Sequence, residues 1–218
     1  MGTMHSIKNN FATNLFEYLE LDIVNGPWLA GSMARKLFTN EEPGHSDWDI
    51  WVKNKDQENR VTERLNHLHS CRIVFETDNA VTYHHQEFGH PQPTTFSFDV
   101  VAVDDKSEVV DTDIHTIQII KRTHYNTAID IINNFDFTVC QVATDDGKNF
   151  IFGDNTKHDI EHKILRNAQV EPRTDGVIAR IIKYIVYGFK PDEDLMGFTR
   201  KNSHLINWHE AMDDYESM

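Results

Sequence analysis

Two short stretches in the N-terminal half decide the fold: LAGSMAR at Leu29–Arg35 and, after a loop, SDWDIW at Ser46–Trp51. The first stretch changes from an apolar segment to a helix-forming one, with Gly31 and Ser32 at the junction. Glycine lets a ligand approach the backbone closely, and the free amides at a helix N-terminus attract anions such as phosphate. The first stretch therefore predicts a strand, a turn and a helix that together bind phosphate.

The second stretch predicts a strand that carries two carboxylates on one face. Residues 48–52 are aromatic and β-branched, which is typical of a strand. Asp47 and Asp49 are two positions apart, so their side chains project to the same side. Hard oxygen ligands of this kind suit Mg²⁺, or Mn²⁺ in its place, because such ions take a few carboxylates together with substrate phosphates. The alternative is a solvated surface strand whose aspartates bind nothing.

A third carboxylate, Asp99, stands in the middle of the apolar stretch Phe96–Val103. A buried aspartate in a strand is costly unless it is paired or bound to metal. We therefore expect the strand of Asp99 to lie next to the strand of Asp47 and Asp49. The three carboxylates would then hold two metal ions for an in-line displacement at phosphorus, with Asp99 also helping to deprotonate the attacking hydroxyl.

The order of these motifs resembles the nucleotidyltransferases of the DNA polymerase β superfamily, and more narrowly the head domain of bacterial-type CCA-adding enzymes and poly(A) polymerases. Gly31–Arg35 is similar to that group's Gly-Gly-x-Val-Arg, and Asp47–Ile50 is similar to its Asp-Ile-Asp. Phe135–Ala143 is similar to its Arg-Arg-Asp-Phe-Thr-Ile-Asn-Ala-Leu-Ala, and Arg180–Lys183 to its Arg-x-Leu-Arg. The resemblance extends over Leu29–Phe189.

The resemblance implies a metal-dependent enzyme that transfers a nucleoside monophosphate from an NTP such as ATP to an acceptor hydroxyl. It implies an α+β fold with a mixed sheet flanked by helices, in which residues 1–153 form the catalytic domain and residues 154–218 a helical extension packed on it. The implied catalytic and metal-binding residues are Asp47, Asp49 and Asp99. The implied nucleotide-binding residues are Gly31, Ser32, Arg35, Asp136, Arg180 and Lys183.

The sequence also departs from the family pattern. Asn134-Phe135 replaces the Arg-Arg pair before Asp136, and the family's Glu-Asp-x-x-Arg is not intact over residues 175–180. Family members are considerably longer, with helical domains that bind tRNA. Three hypotheses stay open: transfer to an RNA end, transfer to a protein or small molecule, and a catalytically degenerate nucleotide-binding or protein-interaction module with the same fold.

Several single residues also have two interpretations. Arg35 either reaches a phosphate or pairs with a surface carboxylate. Arg180 and Lys183 share a helix face and either contact the nucleotide or are solvated charges. Asp136 is either a ligand or a turn residue. The tryptophans Trp48 and Trp51 are expected to point away from the aspartates into packing, with stacking on a base as the alternative.

Composition limits the partners. The chain has 21 Lys and Arg against 35 Asp and Glu, a net charge of −14, so no extensive nucleic-acid-binding surface is expected. No apolar run approaches the roughly 20 residues that cross a bilayer, and the first residues contain no secretory-type apolar stretch, so no membrane partner is expected. Cys71 and Cys140 lie in apolar runs, which favours buried reduced thiols and a cytoplasmic location. The histidine-rich stretch Tyr83–His90 lacks zinc-site spacing and is expected to be a solvated loop.

Hydrophobic periodicity predicts the secondary structure. Helices are expected over residues 6–20, 33–38, 55–69, 127–133, 157–165, 175–189 and 205–212. Strands are expected over residues 28–30, 48–52, 72–76, 80–84, 94–103, 137–143 and 149–152. An apolar run spans residues 114–121. The Asp146-Gly147 pair marks a hairpin turn between the last two strands.

Overall fold

The computed structural model describes residues 4–42, 44, 46–86, 114–169 and 176–202, and it shows an α+β fold. The strands are β1 Trp28–Ala30, β2 Trp48–Trp51, β3 Cys71–Glu76, β4 Ala80–Gln86, β5 Ile114–Ile120, β6 Val142–Thr144, β7 Phe150–Phe152, β8 Ile164–Leu165 and β9 Lys190–Pro191. The helices are α1 Met4–Leu19, α2 Ser32–Thr39, α3 Lys55–His67, α4 Ala128–Ile132, α5 Thr156–Glu161, α6 Val177–Val186 and α7 Glu193–Lys201, with a 3-10 turn at Thr138–Cys140. Within these ranges, no helix is both long and apolar enough to span a membrane.

Seven of the strands form one mixed sheet in the order β3-β4-β5-β2-β1-β6-β7. β2 and β5 run parallel, whereas the other neighbours in this sheet are antiparallel. The register sets Leu29 opposite Ile50, and Ile50 beside Ile119. β2 therefore has a partner on both sides, β1 on one and β5 on the other, which fixes the strand that carries the predicted aspartates.

The two faces of the sheet are buried by different helices. On one face, buried residues such as Leu29 and Ile50 belong to the same core as Leu15 of α1, Met33 of α2 and Leu65 of α3. On the other face, a smaller core joins Trp28, Ala30 and Ala143 of the sheet to α4, which contributes Ala128, Ile131 and Ile132. The alternation of apolar residues along β1 and β2 decides which residue points to which face. Asp49 alternates with Ile50, so it lies on the α4 side.

The C-terminal elements pack on the main core. Ile160 of α5, Leu165 of β8, Ile181 of α6 and Leu195 of α7 belong to the same buried cluster as the first sheet face. β8 and β9 pair with each other in parallel and form a separate two-stranded sheet. This packing brings α6 close to the start of α2 and to the start of β2.

The sequence prediction is confirmed for the mixed α+β class and for most elements, but several elements differ. Residues 83–86, part of the histidine-rich stretch that was expected to be a solvated loop, belong to β4, where Tyr83 is buried. The apolar run at residues 114–121 forms β5. The helix expected over residues 157–165 ends at Glu161, because Lys163 takes a left-handed conformation (φ 53°) and Ile164–Leu165 pair as β8. The strand expected over residues 137–143 begins with the 3-10 turn and becomes β6 only at Val142. α7 was not predicted; Asp192 starts it by accepting the Leu195 amide at 2.9 Å. The strand expected over residues 94–103 and the helix expected over residues 205–212 lie outside the described residues.

Candidate functional site

The turn between β1 and α2 leaves space beside Asp49. Gly31 has φ +95°, a conformation that favours glycine, and its amide donates to the Val142 carbonyl at 2.9 Å. A side chain at this position would come within 3.2 Å of the Phe135 ring and 3.9 Å of the Asp49 Oδ2 atom. No side chain caps the first turn of α2, which begins at Ser32. The turn thus presents a helix N-terminus, which attracts anions, next to a carboxylate.

Asp47 and Asp49 form the acidic wall of the site. Burial and the neighbouring charge of Asp47 together raise the pKa of Asp49 to about 7, against the opposing attraction of Lys183. Burial also raises the pKa of Asp47, against the attraction of Lys183 and His84. Gln118, which pairs with Asp49 in the register of β2 and β5, donates from Nε2 to the Asp47 Oδ2 atom at 3.1 Å. Two crowded carboxylates, one of them fixed by an amide, suit a bound cation.

The opposite wall comes from α6 and the segment before the 3-10 turn. Arg180 Nη2 donates to Asp136 Oδ2 at 2.5 Å. The second carboxylate oxygen of Asp136 and the Nε atom of Arg180 are buried and have no hydrogen-bond partner among the described residues. Lys183, one turn along α6, attracts both aspartates electrostatically. This wall therefore holds two cations together with an unused donor and an unused acceptor.

The two walls enclose a pocket of about 230 Å³. Its lining includes Ser32 at the start of α2 and the side chains named for the two walls. The remaining lining consists of Ser46, Cys140 and three aromatic rings, those of Phe135, Phe137 and Tyr184. The carboxylates can hold a divalent cation, the cations can bind phosphates, and the rings offer faces for a base.

Comparison with known sequences identifies the family. The family described as "Gad2: Gabija anti-defense 2 family protein" matches residues 5–163. The chain belongs to the Gabija anti-defense 2 (Gad2) family. The matched region contains the turn between β1 and α2 and both aspartates of the acidic wall, and it ends before α6. A search of curated proteins found no match.

Solved structures show what fold this Gad2 protein has. A CCA-adding enzyme in complex with ATP is 14% identical with a TM-score of 0.54, and the match covers 93% of this chain and 45% of that one. A CCA-adding enzyme in complex with CTP is 17% identical with a TM-score of 0.52, covering 88% and 43%. The Thermotoga maritima CCA-adding enzyme with tRNA is 13% identical with a TM-score of 0.51, covering 88% and 40%. The Gad2 protein has a polymerase β-like nucleotidyltransferase fold and spans less than half the length of each of these chains.

The Gad2 pocket brings together most of the residues that the sequence indicated. Ser32, Asp136, Arg180 and Lys183 line the pocket with Asp47 and Asp49, and Gly31 borders it. Asp99 lies outside the described residues. Among the residues that are described, no group of three His, Cys, Asp or Glu side chains is arranged to hold a metal ion. On β5, the residue beside Asp49 is Gln118, an amide.

Arg35 lies outside the pocket and pairs with a carboxylate, which is the second of its two interpretations. Its side chain is 1% exposed and does not line the pocket; Nη1 donates to Glu41 Oε2 at 2.7 Å. The guanidinium also lies over the Phe189 ring, 5.3 Å from its centroid. Lys163 binds the other oxygen of Glu41 at 3.1 Å. Packing against Phe189 thus directs Arg35 into the core beneath α2, where it ties α2 to the C-terminal elements.

The expectation for the tryptophans holds for Trp48 and is wrong for Trp51. Trp48 is buried on the α1 side of the sheet. Trp51 is two positions after Asp49, so it shares the face of the aspartates, where its ring lies 5.7 Å from the Phe135 ring. The Trp51 ring therefore packs against Phe135, which lines the pocket. Gln118 was also missed, although a lone amide inside the apolar strand β5 was a visible signal.

Asp49 gives a pH-dependent prediction. Its pKa is raised, so folding favours its protonated form; this stability is present at acidic pH and is lost as the pH rises through about 7. We expect Asp49→Asn to remove a penalty on the order of 2 kcal/mol at pH 8 and to raise Tm by about 5 °C in metal-free buffer. The difference should shrink as the pH falls and vanish only below about pH 4, where the carboxyl is protonated in both the folded and the unfolded chain.

Thermal melts from about pH 3.5 to pH 8.5 in EDTA measure this effect, with Asp78→Asn, at an exposed turn, as the matched control. An Asp49→Asn protein that melts below the wild type at pH 8 would show that the Asp49 carboxylate stabilises the apo fold, which contradicts the prediction.

Proposed function

We propose that this Gad2 protein is a metal-dependent nucleotidyltransferase that moves a nucleoside monophosphate from an NTP to an acceptor hydroxyl. One observation carries the proposal: one pocket places the half-buried pair Asp47 and Asp49 opposite the cations Arg180 and Lys183, beside the start of α2 at Ser32. In a metal–triphosphate complex, the two carboxylates would hold the metal ion and the two cations would bind the phosphates.

The acidic wall fits a divalent cation. Asp47 and Asp49 repel each other and are poorly hydrated, as their raised pKa values show. A cation between them relieves both penalties, and their oxygens are the ligands that Mg²⁺ and Mn²⁺ prefer. When bound, the ion supplies charge neutralisation and polarisation of a phosphoryl oxygen. Gln118 keeps one Asp47 oxygen turned toward β5, which limits how the carboxylate can rotate.

The protein's own groups position the triphosphate. Lys183 and Arg180 offer positive charge across the pocket, and the uncapped first turn of α2 offers backbone amides and the positive end of its dipole. These groups would bind the β- and γ-phosphates that leave as pyrophosphate. Catalysis then comes from orientation and electrostatic stabilisation, with no covalent protein intermediate.

The acceptor is the least constrained part of the proposal. The net charge of −14 disfavours an extended nucleic-acid partner. This charge favours a protein or small-molecule hydroxyl over an RNA end. The family description names an anti-defence protein directed at Gabija. This supports an acceptor hydroxyl that belongs to a component of the Gabija defence.

A second candidate is a module that binds a metal–NTP complex without transferring it. Gln118 favours this alternative, because an amide stands on the strand next to Asp49, where a further carboxylate could approach a metal ion. Such a module would act by holding the nucleotide or by binding a defence protein.

Label transfer separates the two candidates. We expect label from an α-³²P-NTP to enter acid-insoluble or small-molecule products when the protein, Mg²⁺ and an extract of Gabija-containing cells are combined, and EDTA to prevent it. The four NTPs are tested separately. Label that stays in NTP, while the NTP with Mg²⁺ still raises Tm, would contradict transfer and support the binding module.

A further inference from the structure

We propose that His158 and His162, at the end of α5, together bind one divalent transition-metal ion of the Zn²⁺ class through their Nε2 atoms. The site is separate from the candidate nucleotide pocket, which neither histidine lines. It offers nitrogen ligands, whereas the two aspartates of the acidic wall offer the oxygens that Mg²⁺ prefers.

The spacing of the two histidines places their rings side by side. His158 lies in α5 and His162, four positions later, is the C-cap of that helix. Side chains with this separation lie next to each other on one helix face. The ring centroids are 4.3 Å apart, and the ring planes are 23° from parallel. Two imidazoles that bind one ion at about 2.1 Å and at right angles have their centroids about 4.5 Å apart. The two rings therefore already have nearly the separation of a pair that shares an ion.

Hydrogen bonds fix the tautomer of both rings. His158 Nδ1 lies 3.2 Å from Asp159 Oδ1, and His162 Nδ1 lies 2.9 Å from the His158 carbonyl oxygen. Carboxylate and carbonyl oxygens accept hydrogen bonds, so each Nδ1 carries the proton and donates it. Each neutral ring then has its free lone pair on Nε2. Histidines that bind metal almost always donate their other ring nitrogen to an oxygen of this kind.

Asp159 orients the His158 ring from a fixed position. The Asp159 side chain is fully buried, and its Oδ2 atom accepts from Thr138 Oγ1 at 2.7 Å and from Arg166 Nε at 2.9 Å. Both histidines, by contrast, are exposed. A fixed carboxylate behind a histidine holds the ring in place and makes its other nitrogen a better ligand. An ion from solvent can thus reach the two rings without displacing a core side chain.

The imidazole nitrogens determine the class of ion. Zn²⁺, Ni²⁺ and Cu²⁺ bind neutral imidazole well, whereas Mg²⁺ and Ca²⁺ prefer oxygen ligands. In the part of the chain that the structure describes, no group of three His, Cys, Asp or Glu side chains could hold a metal ion. The ion at this histidine pair would therefore keep open positions for water or for a donor atom of another molecule. Its binding would tie together the last turn of α5.

A Zn²⁺ titration of the metal-free full chain at pH 7.5, with Mg²⁺ in excess to compete for the aspartates, tests the site. In a ¹H–¹⁵N spectrum of the histidine rings, we expect His158 and His162 to be Nδ1–H tautomers before Zn²⁺ is added. Both Nε2 signals should then shift together as Zn²⁺ binds. The variants His158→Ala and His162→Ala assign these signals, and both should fold because the two rings are exposed.

Calorimetry of the same titration measures the affinity. His158→Ala and His162→Ala should each weaken the tightest Zn²⁺ binding by about tenfold or more, because a lost ligand costs at least as much as a lost outer-shell partner. His67→Ala is the matched control and should bind Zn²⁺ as the wild type does. His67 is also exposed, and its Nδ1 also contacts the carbonyl oxygen four residues earlier, at 2.7 Å, but that residue is Glu63.

Three results would overturn the inference. Nε2–H tautomers in the metal-free protein would contradict the hydrogen bonds on which the site depends. A Zn²⁺ affinity that neither His158→Ala nor His162→Ala changes would place the bound zinc elsewhere. An equal loss of affinity in His67→Ala would show that zinc binds exposed histidines in general.

Discussion

Asp49→Asn lowers the rate of nucleotide transfer by about a thousandfold while the protein remains folded. Asparagine keeps the size of Asp49 but removes the charge that a divalent ion requires, and metal stabilisation of a phosphoryl transition state is worth several kcal/mol. The same change relieves the burial penalty on the carboxylate, so Tm at pH 8 rises. Activity and stability therefore move in opposite directions, which separates loss of the site from unfolding.

The measurement is single-turnover transfer from the α-³²P-NTP with Mg²⁺ in excess, and the Tm increase caused by that NTP and Mg²⁺ serves as a second readout. Asp47→Asn should have a similar effect, and Asp78→Asn should match the wild type. An Asp49→Asn enzyme that retains more than a tenth of the wild-type rate would place the essential metal elsewhere.

Asp159→Ala destabilises the protein by about 3 kcal/mol, which lowers Tm by roughly 6 to 12 °C. The Asp159 side chain is fully buried; Oδ2 accepts from Thr138 Oγ1 at 2.7 Å and from Arg166 Nε at 2.9 Å. Thr138 opens the 3-10 turn that ends at Cys140, which lines the pocket. Removing the carboxylate leaves the Thr138 hydroxyl without its acceptor and the Arg166 guanidinium without its main partner.

A denaturant titration with a circular dichroism readout gives this free energy of unfolding directly. Asp154→Ala, at an exposed position just before α5, is the matched control and should change stability by less than about 0.5 kcal/mol. An Asp159→Ala protein that unfolds together with the control would show that the network around Asp159 adds no net stability.

The local half of the site could be predicted from the sequence. A Gly-Ser pair at the change from strand to helix and two aspartates at alternate positions are short-range signals, and both produce the expected geometry around Gly31 and Asp49. The mixed α+β fold followed from the same motifs. These patterns are readable because strand alternation and helix termini depend on a few neighbouring residues.

The rest of the site depends on tertiary packing. Arg35 is one helical turn from Ser32, and the sequence does not say whether its side chain faces a ligand or the core; the packing of Phe189 against α2 decides this. The pairing of Asp136 with Arg180 joins segments far apart in the chain. Gln118 reaches Asp47 only because β5 is the strand that joins β2 in parallel, which is a matter of sheet order.

The central claim is that the pocket between Asp47, Asp49 and Lys183 holds a metal-bound triphosphate. Anomalous diffraction from crystals grown with Mn²⁺ and a non-hydrolysable NTP tests it most directly. The account predicts a Mn²⁺ peak bound by oxygens of Asp47 and Asp49, with the phosphates beside Ser32. A triphosphate bound elsewhere, such as in the separate cavity lined by Arg166 and Phe198, with no Mn²⁺ at the two aspartates, would contradict it.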